Sequence, residues 1–266
     1  MFRQNPQPFR LLKVSQSVAS GQNTYDHSEM ASFETSLVQG VAKYYLPHRV
    51  KNEYVLIGSS RLFNTDTFAD LKVFIGNKEV PAHSSVLACQ SEYFATALRV
   101  PLLESRTKEF RFVEGSPYAY WRVFQYIYRG SYADETLQEF DTQGIVPFCY
   151  RITLTCTDDE ELVRHVRVYA LADYFGIKGL KNHALSRLQT LLSDLWMSDR
   201  FSDCIREVYE STRDEPESLR ALVTRVAHAH LGQLWERSEF KVLVHEGGDF
   251  AVDLIAQSAK KQQDGY

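Results

Sequence analysis

The stretch "HSSVLACQSEYFATAL", His83 to Leu98, gathers an imidazole, two hydroxyls and a thiol in His83, Ser84, Ser85 and Cys89. A histidine next to a serine or cysteine is the raw material of nucleophilic catalysis, in which the base takes the proton as the hydroxyl or thiol attacks. The members of such a constellation normally converge from distant segments, and these four are crowded onto one short segment. The strand-turn-helix signature GxSxG is also absent from the chain. The segment therefore reads as a packed helix, with Cys89 a small core residue beside Leu87.

Other reactive groups lead to the same reading. His228 and His230 stand two apart on a helical pattern, whereas paired helical metal ligands need a spacing of three or four. The acidic run Asp158 to Glu161 lies in the first turn of a helical pattern, where the dipole favours negative charge, so capping is its expected role. The rings of "YAYWRVFQYIYRG" fall at helical spacing, which suits a core or a protein interface better than base stacking. Neither GxGxxG nor GxxxxGK[ST] occurs, so nothing cradles a nucleotide phosphate. The expectation is a non-enzymatic chain with no cofactor, metal or small-molecule ligand.

Composition narrows the partners. With 30 Lys and Arg against 34 Asp and Glu, the net charge of -4 provides no cationic field for a phosphate backbone. Four scattered cysteines without a CxxC pair suit reduced thiols in the cytoplasm or nucleus. No apolar run reaches the ~18 residues of a membrane span. Nucleic acid and membrane are thus not expected partners, and 44% hydrophobic residues are enough for an ordinary globular core.

The elements that must carry these residues can be read from periodicity. Residues 1–29 are polar and aperiodic and read as a tail, while Phe33, Leu37, Val41 and Tyr44 predict one amphipathic helix over Ala31 to Tyr45. The run Glu53 to Gly58 fits a strand or a buried turn. In "LKVFIGNKEVPAH", alternation at Leu71, Val73 and Ile75 followed by Gly76-Asn77 predicts a β-hairpin, with Pro81 on an edge. Val86, Leu87, Phe94, Ala97 and Leu98 predict two short helices with Ser91 as N-cap at their junction. Phe110 and Phe112 predict a third strand, and Ser116-Pro117 opens a helix that Gly130 ends. "YRITLT" is strand-like. Thr157 with Glu160 forms a capping box for a helix closing at Gly176, and Leu180, Ala184, Leu188 and Leu191 mark the next. Beyond it the chain reads as helical, with one pattern from Leu219 to Leu234 and a further helix from Ser238 to Gly247-Gly248.

The order hairpin, histidine-led helix pair, strand and capped aromatic helix resembles the BTB/POZ fold. Its carriers are "FADLKVFIGNKEVPAHSSVLACQSEYFATAL", with Asp70, His83, Leu87, Ser91 and Phe94 at the signature positions. "YAYWRVFQYIYRGSY" is similar to the family's helix ending in Tyr-x-Gly-x-Tyr, through Tyr128, Gly130 and Tyr132, and "VRVYALADYFGIKGLKNHALSRL" resembles its closing helix pair. The resemblance implies an α+β fold, a small three-stranded sheet with a hairpin covered by short helices, followed here by an all-α C-terminal extension. The corresponding division is 30–67 as N-terminal extension, 68–134 as core, 135–165 as insertion, 166–192 as closing helices and 193–266 as helical extension.

The same resemblance implies protein association. The partners would be a second copy or another BTB protein in a dimer, a cullin scaffold, and a substrate or regulatory protein of unknown identity. A substrate adaptor of a cullin-based ubiquitin ligase is the most concrete role, and a transcription-related regulator without ligase connection is the alternative. "PLLESRTKEFRF" resembles the hydrophobic-x-Glu element of cullin-binding members, with Leu102 and Glu104 at the matching positions in the loop before the third strand. Two features depart from the dimeric repressors of the family. Ser84 stands where a basic residue usually follows the histidine, and the helix that usually precedes the first strand has its nearest counterpart far upstream, in Ala31 to Tyr45.

Overall fold

A computed structural model describes residues 59–101, 103–134, 140, 159–213, 215 and 218–263. All of them belong to one compact unit, residues 56–266. The tail 1–29, the helix expected over Ala31 to Tyr45, the run Glu53 to Gly58, "YRITLT", Thr157 and Leu102 lie outside the described residues.

A short 3-10 turn, Ser60–Leu62, leads to β1 (Leu71–Ile75) and β2 (Lys78–Ala82). They pair antiparallel with Val73 opposite Val80, and Gly76 takes the positive φ of 57° that their tight turn requires. β3 (Glu109–Phe112) joins the other side of β1 in parallel, Val73 opposite Phe110, giving the order β2-β1-β3. Pro81 sits in an edge strand, as its missing N–H demands. Alternation divides the sheet into two faces. Leu71, Val73, Ile75, Val80, Phe110 and Phe112 are buried, while outside Lys72 pairs with Glu79 at 2.9 Å and the Arg111 guanidinium lies 3.8 Å from the Phe74 ring centroid.

A parallel pair needs a crossover, and three short helices provide it: α1 (Ser84–Gln90), α2 (Glu92–Arg99) and α3 (Leu103–Thr107). Cys89 is exposed, which corrects its expected core role. Two residues beyond buried Leu87 at ~100° per residue put it on the far side of α1, because adjacency in sequence is not adjacency on a helix. α4 (Pro117–Arg129) starts at the Ser116 cap, whose Oγ accepts the Ala119 N–H at 3.1 Å, and ends at Gly130 in the left-handed conformation. Its aromatic stripe is core: Tyr118, Tyr120, Trp121, Phe124 and Tyr128 are all buried.

α5 (Glu161–Tyr174) and α6 (Lys178–Leu195) pack against each other, and α5 also packs on α4. Between α5 and α6, Ile177 N–H bonds Ala172 C=O and Gly176 N–H bonds Asp173 C=O, the paired closure in which glycine takes positive φ. A Cβ on Gly176 would stand 3.3 Å from Glu92 Cβ, so the left-handed turn and the close approach to α2 both require glycine here. The start of α5 differs from the capping-box expectation. The N-cap is Glu160, without a side-chain bond, and Asp159 is buried rather than capping. Its carboxylate turns inward because stronger partners are there: Ser116 Oγ donates at 2.7 Å and Arg167 Nη1 at 2.5 Å.

The rest is helical: α7 (Phe201–Ser211), α8 (Leu219–Ala229), α9 (Leu231–Leu234), α10 (Ser238–Glu246) and α11 (Asp249–Gln263). The single pattern expected from Leu219 to Leu234 breaks at His230, whose ring stacks on Trp196 with centroids 3.7 Å apart. α7 packs on α5, and Arg167 ties the two by donating Nε–H to Glu207 at 2.9 Å while also holding Asp159. No described helix is long and apolar enough to cross a membrane.

Candidate functional site

His83 ends the hairpin and forms the N-cap of α1, with extended backbone and no capping bond from its own side chain. Its ring turns inward, 4% exposed, onto Tyr128 of α4. Nε2 lies 2.8 Å from the Thr67 carbonyl oxygen, which can only accept, so in the neutral ring Nε2 carries the proton. Nδ1 is then the acceptor for the Tyr128 hydroxyl at 2.9 Å, and that same oxygen accepts the His83 backbone N–H at 3.0 Å. Burial pushes the Tyr128 hydroxyl up to about 12, so it remains a donor at neutral pH. Ser59 Oγ closes the arrangement by donating to the Tyr128 carbonyl at 2.9 Å. A histidine with both nitrogens engaged in this way is a strut between hairpin, preceding turn and α4. It is not a general base.

The neighbouring hydroxyl is likewise engaged. Asp70, at the foot of β1, accepts Ser84 N–H at 2.7 Å and Ser84 Oγ–H at 2.5 Å. The carboxylate thus supplies from the strand the cap that His83 does not, at the positive end of α1. Burial by itself would raise the Asp70 pKa, but the two Ser84 hydrogen bonds outweigh it and hold the carboxyl below its usual value. The serine that replaces the family's basic residue therefore keeps the aspartate occupied without an ion pair.

The remaining signature residues hold α1, α2 and the closing helices together. Leu87 and Phe94 are fully buried. Ser91 Oγ caps α2 by accepting Phe94 N–H at 3.4 Å and donates to the Phe175 carbonyl at 2.6 Å, fixing α2 to the end of α5. The Phe94 ring stacks on Phe175 with centroids 5.2 Å apart and planes at 15°. Gly130 ends α4 with φ 73°, which lets Tyr132 turn back under the fold. Sequence reasoning named these positions but missed their pairing. His83 with Tyr128 and Ser91 with Phe175 are contacts across chain separations that carry no local signal.

A second buried histidine was not singled out from the sequence. His165 on α5 is 1% exposed, with Nδ1 2.7 Å from the Tyr132 hydroxyl and Nε2 3.7 Å from Asp134. Burial, helped by the positive charges of Arg187, Arg164 and Arg122 against the opposing Asp134, drives its pKa down to about 4. His165 is therefore neutral near pH 7, and its ring is engaged.

Leu102 lies outside the described residues. Glu104 is half-buried and sits in the first turn of α3, where a loop was expected; its backbone carbonyl accepts Lys108 N–H at 2.9 Å. The acid at this helix start accords with the dipole, which is the local reason the loop tightens into a turn of helix.

Comparison with known proteins fits this geometry. Residues 60–143 match the family model described as the BTB/POZ domain. Kelch-like protein 1 of Mus musculus is 33% identical over 61 residues, which are 23% of this chain and 8% of that protein. The match thus covers a small part of that relative's length. BTB/POZ domains mediate partnerships between proteins, often by self-association, and that family is typically non-catalytic. The hairpin, the histidine strut, the capped helix pair and the family match agree in one conclusion: residues 60–143 are a BTB/POZ domain.

Proposed function

We infer that the chain is a self-associating interaction module that serves as substrate adaptor on a cullin scaffold in the cytoplasm or nucleus. The observation that carries the module reading is that His83, Ser84, Ser91 and Tyr128 all spend their polar atoms inside the fold. These groups hold a surface in shape and leave recognition to that surface.

The adaptor role rests on Leu102 and Glu104. An apolar side chain at the position of Leu102 would fill a partner's pocket, and truncating such an anchor costs about 2 kcal/mol or more of binding. The neighbouring carboxylate would orient the contact through a charged hydrogen bond. The test is recovery of a cullin on the full chain, compared with the double variant Leu102→Asp, Glu104→Ala. Loss of recovery with an unchanged melting curve supports the site. Unchanged recovery refutes it, and a collapsed melting curve assigns the pair to packing. Sedimentation at low micromolar concentration should give about twice the 30.7 kDa chain mass.

A further inference from the structure

A cavity of about 470 Å³ opens between α5, α6 and Asp134, within the size range of small-molecule sites. Arg164 and His165 of α5 form one wall, and Ser186, Arg187 and Thr190 of α6 form the other. The Arg187 guanidinium is fixed in place. It donates from Nη1 to the Tyr132 carbonyl at 2.8 Å, pairs through Nη2 with Asp134 and lies 5.0 Å from the Tyr132 ring centroid. These bonds use two of its five N–H donors, leaving Nε–H and one hydrogen on each Nη for a ligand. Ser186 adds an exposed hydroxyl one residue away on the same helix.

The balance of charge selects an anion. Against Arg122, Arg164 and Arg187 stand the carboxylates of Asp134 and Asp159, while Arg167, which also holds Asp159, is matched by Glu207. One guanidinium charge is thus in excess. His165 adds none near pH 7, and the same three arginines help to keep it neutral. Glu161, the other acid of the lining, is exposed, so water and salt screen it. α5 also begins at the cavity, and its N-cap, Glu160, makes no side-chain cap bond, so the positive end of the helix adds to the field. A phosphoryl group carries about −1.5 to −2 charge and three strong acceptor oxygens, which suits a fork of guanidinium donors and a hydroxyl. The room beyond the charged wall, with Leu191 as its apolar side, takes a small organic group.

We propose that the cavity between α5 and α6 binds a phosphate monoester, its phosphoryl group held by Arg164, Arg187 and Ser186 and its carbon part set toward Leu191. This goes beyond the module reading above and does not depend on it. The ester is either a free small molecule or a phosphorylated side chain, and the two share the chemistry that the arginines recognise.

Isothermal titration of the full chain at neutral pH and constant ionic strength compares glycerol 3-phosphate, phosphoserine capped at both ends, and glycerol. At least one ester should bind, and glycerol should not. Tighter binding of glycerol 3-phosphate assigns a free ester, and tighter binding of capped phosphoserine assigns a phosphorylated side chain. Ser186→Asp and Thr190→Glu each set a carboxylate at an exposed position of the lining. Each should weaken the ester about tenfold or more with the wild-type melting curve kept, because like charges set face to face are strongly unfavourable. Glu161→Gln should strengthen binding about two- to fivefold, the scale of one exposed charge. The site is read independently by nuclear magnetic resonance, in which the Arg187 Nε–H and His165 ring signals should move as the ester is added. No heat from either ester up to about 10 mM, equal affinity in the wild type and both acidic variants, or shifts that spare Arg187 and His165 each overturn the proposal. None of these results bears on cullin recovery.

Discussion

Replacing Tyr128 with phenylalanine removes one oxygen and, with it, two hydrogen bonds. The hydroxyl donates to His83 Nδ1 at 2.9 Å and accepts His83 N–H at 3.0 Å, and both residues are buried. The ring of the variant fits the same space, so packing is unchanged, but a backbone donor and an imidazole acceptor lose their partner. Each buried polar group left unsatisfied costs about 1–3 kcal/mol, so with two such groups Tyr128→Phe should destabilise the fold by about 2–6 kcal/mol. For an ordered unit of this size each kcal/mol lowers Tm by about 2–4 °C, a fall of about 4–24 °C. Urea denaturation should show a lower midpoint with an unchanged slope, because the surface exposed on unfolding is the same. A double-variant cycle with His83→Ala isolates the ring bond and should return a coupling of about 1–2 kcal/mol. A loss under about 0.5 kcal/mol, or strict additivity in the cycle, would refute the strut.

Ser91→Ala should cost about 1–3 kcal/mol, since it removes both the α2 cap and the 2.6 Å bond to the Phe175 carbonyl; wild-type stability in urea would contradict the joint it is given. His165 makes stability depend on pH. Its folded pKa of about 4 lies below the unfolded value near 6.5, so acidification protonates the unfolded chain first. Stability is then full above pH 6.5 and falls through the window from 6.5 to 4. The drop between pH 7 and pH 5 should be about 2 kcal/mol, and it should flatten in His165→Gln. An identical pH slope in that variant would remove His165 as the cause.

Local signals in the sequence were read where local physics decides. Gly76-Asn77 between alternating residues can only be a tight turn, Ser116-Pro117 can only begin a helix, and Ser91 at a helix junction is a cap. The strand Glu109–Phe112 was legible from Phe110 and Phe112, although its parallel pairing with β1 was not, since alternation is silent on direction. Cys89 was misplaced because its position was judged by its neighbour instead of by the turn of the helix. α7 left a signal that was not used. Phe201, Cys204, Ile205 and Val208 step by three, one and three and are all buried, but Cys204 had been weighed only as a thiol. Asp159 reads as a capping acid from its position at a helix start, whereas its partners are Ser116, far off in the chain, and Arg167, two turns into the same helix. Long-range pairing of polar side chains leaves no periodicity behind, and that is where sequence reading stopped.

The stacking of Phe94 on Phe175 separates two meanings of the word domain. The stretch matched by the family model ends at residue 143, yet Phe175 fills the interior beneath α2 and its carbonyl holds Ser91. The matched stretch and the compact unit therefore have different borders. A fragment cut where the resemblance stops would present a hollow lined by Phe94, Phe110 and Phe112 to water, and hollows of that kind are filled by whatever apolar surface is at hand. Arg167 extends the dependence one step further, since its second carboxylate, Glu207, belongs to the helix after next. In this protein the stretch matched as BTB/POZ and the helices that follow it share one continuous apolar core.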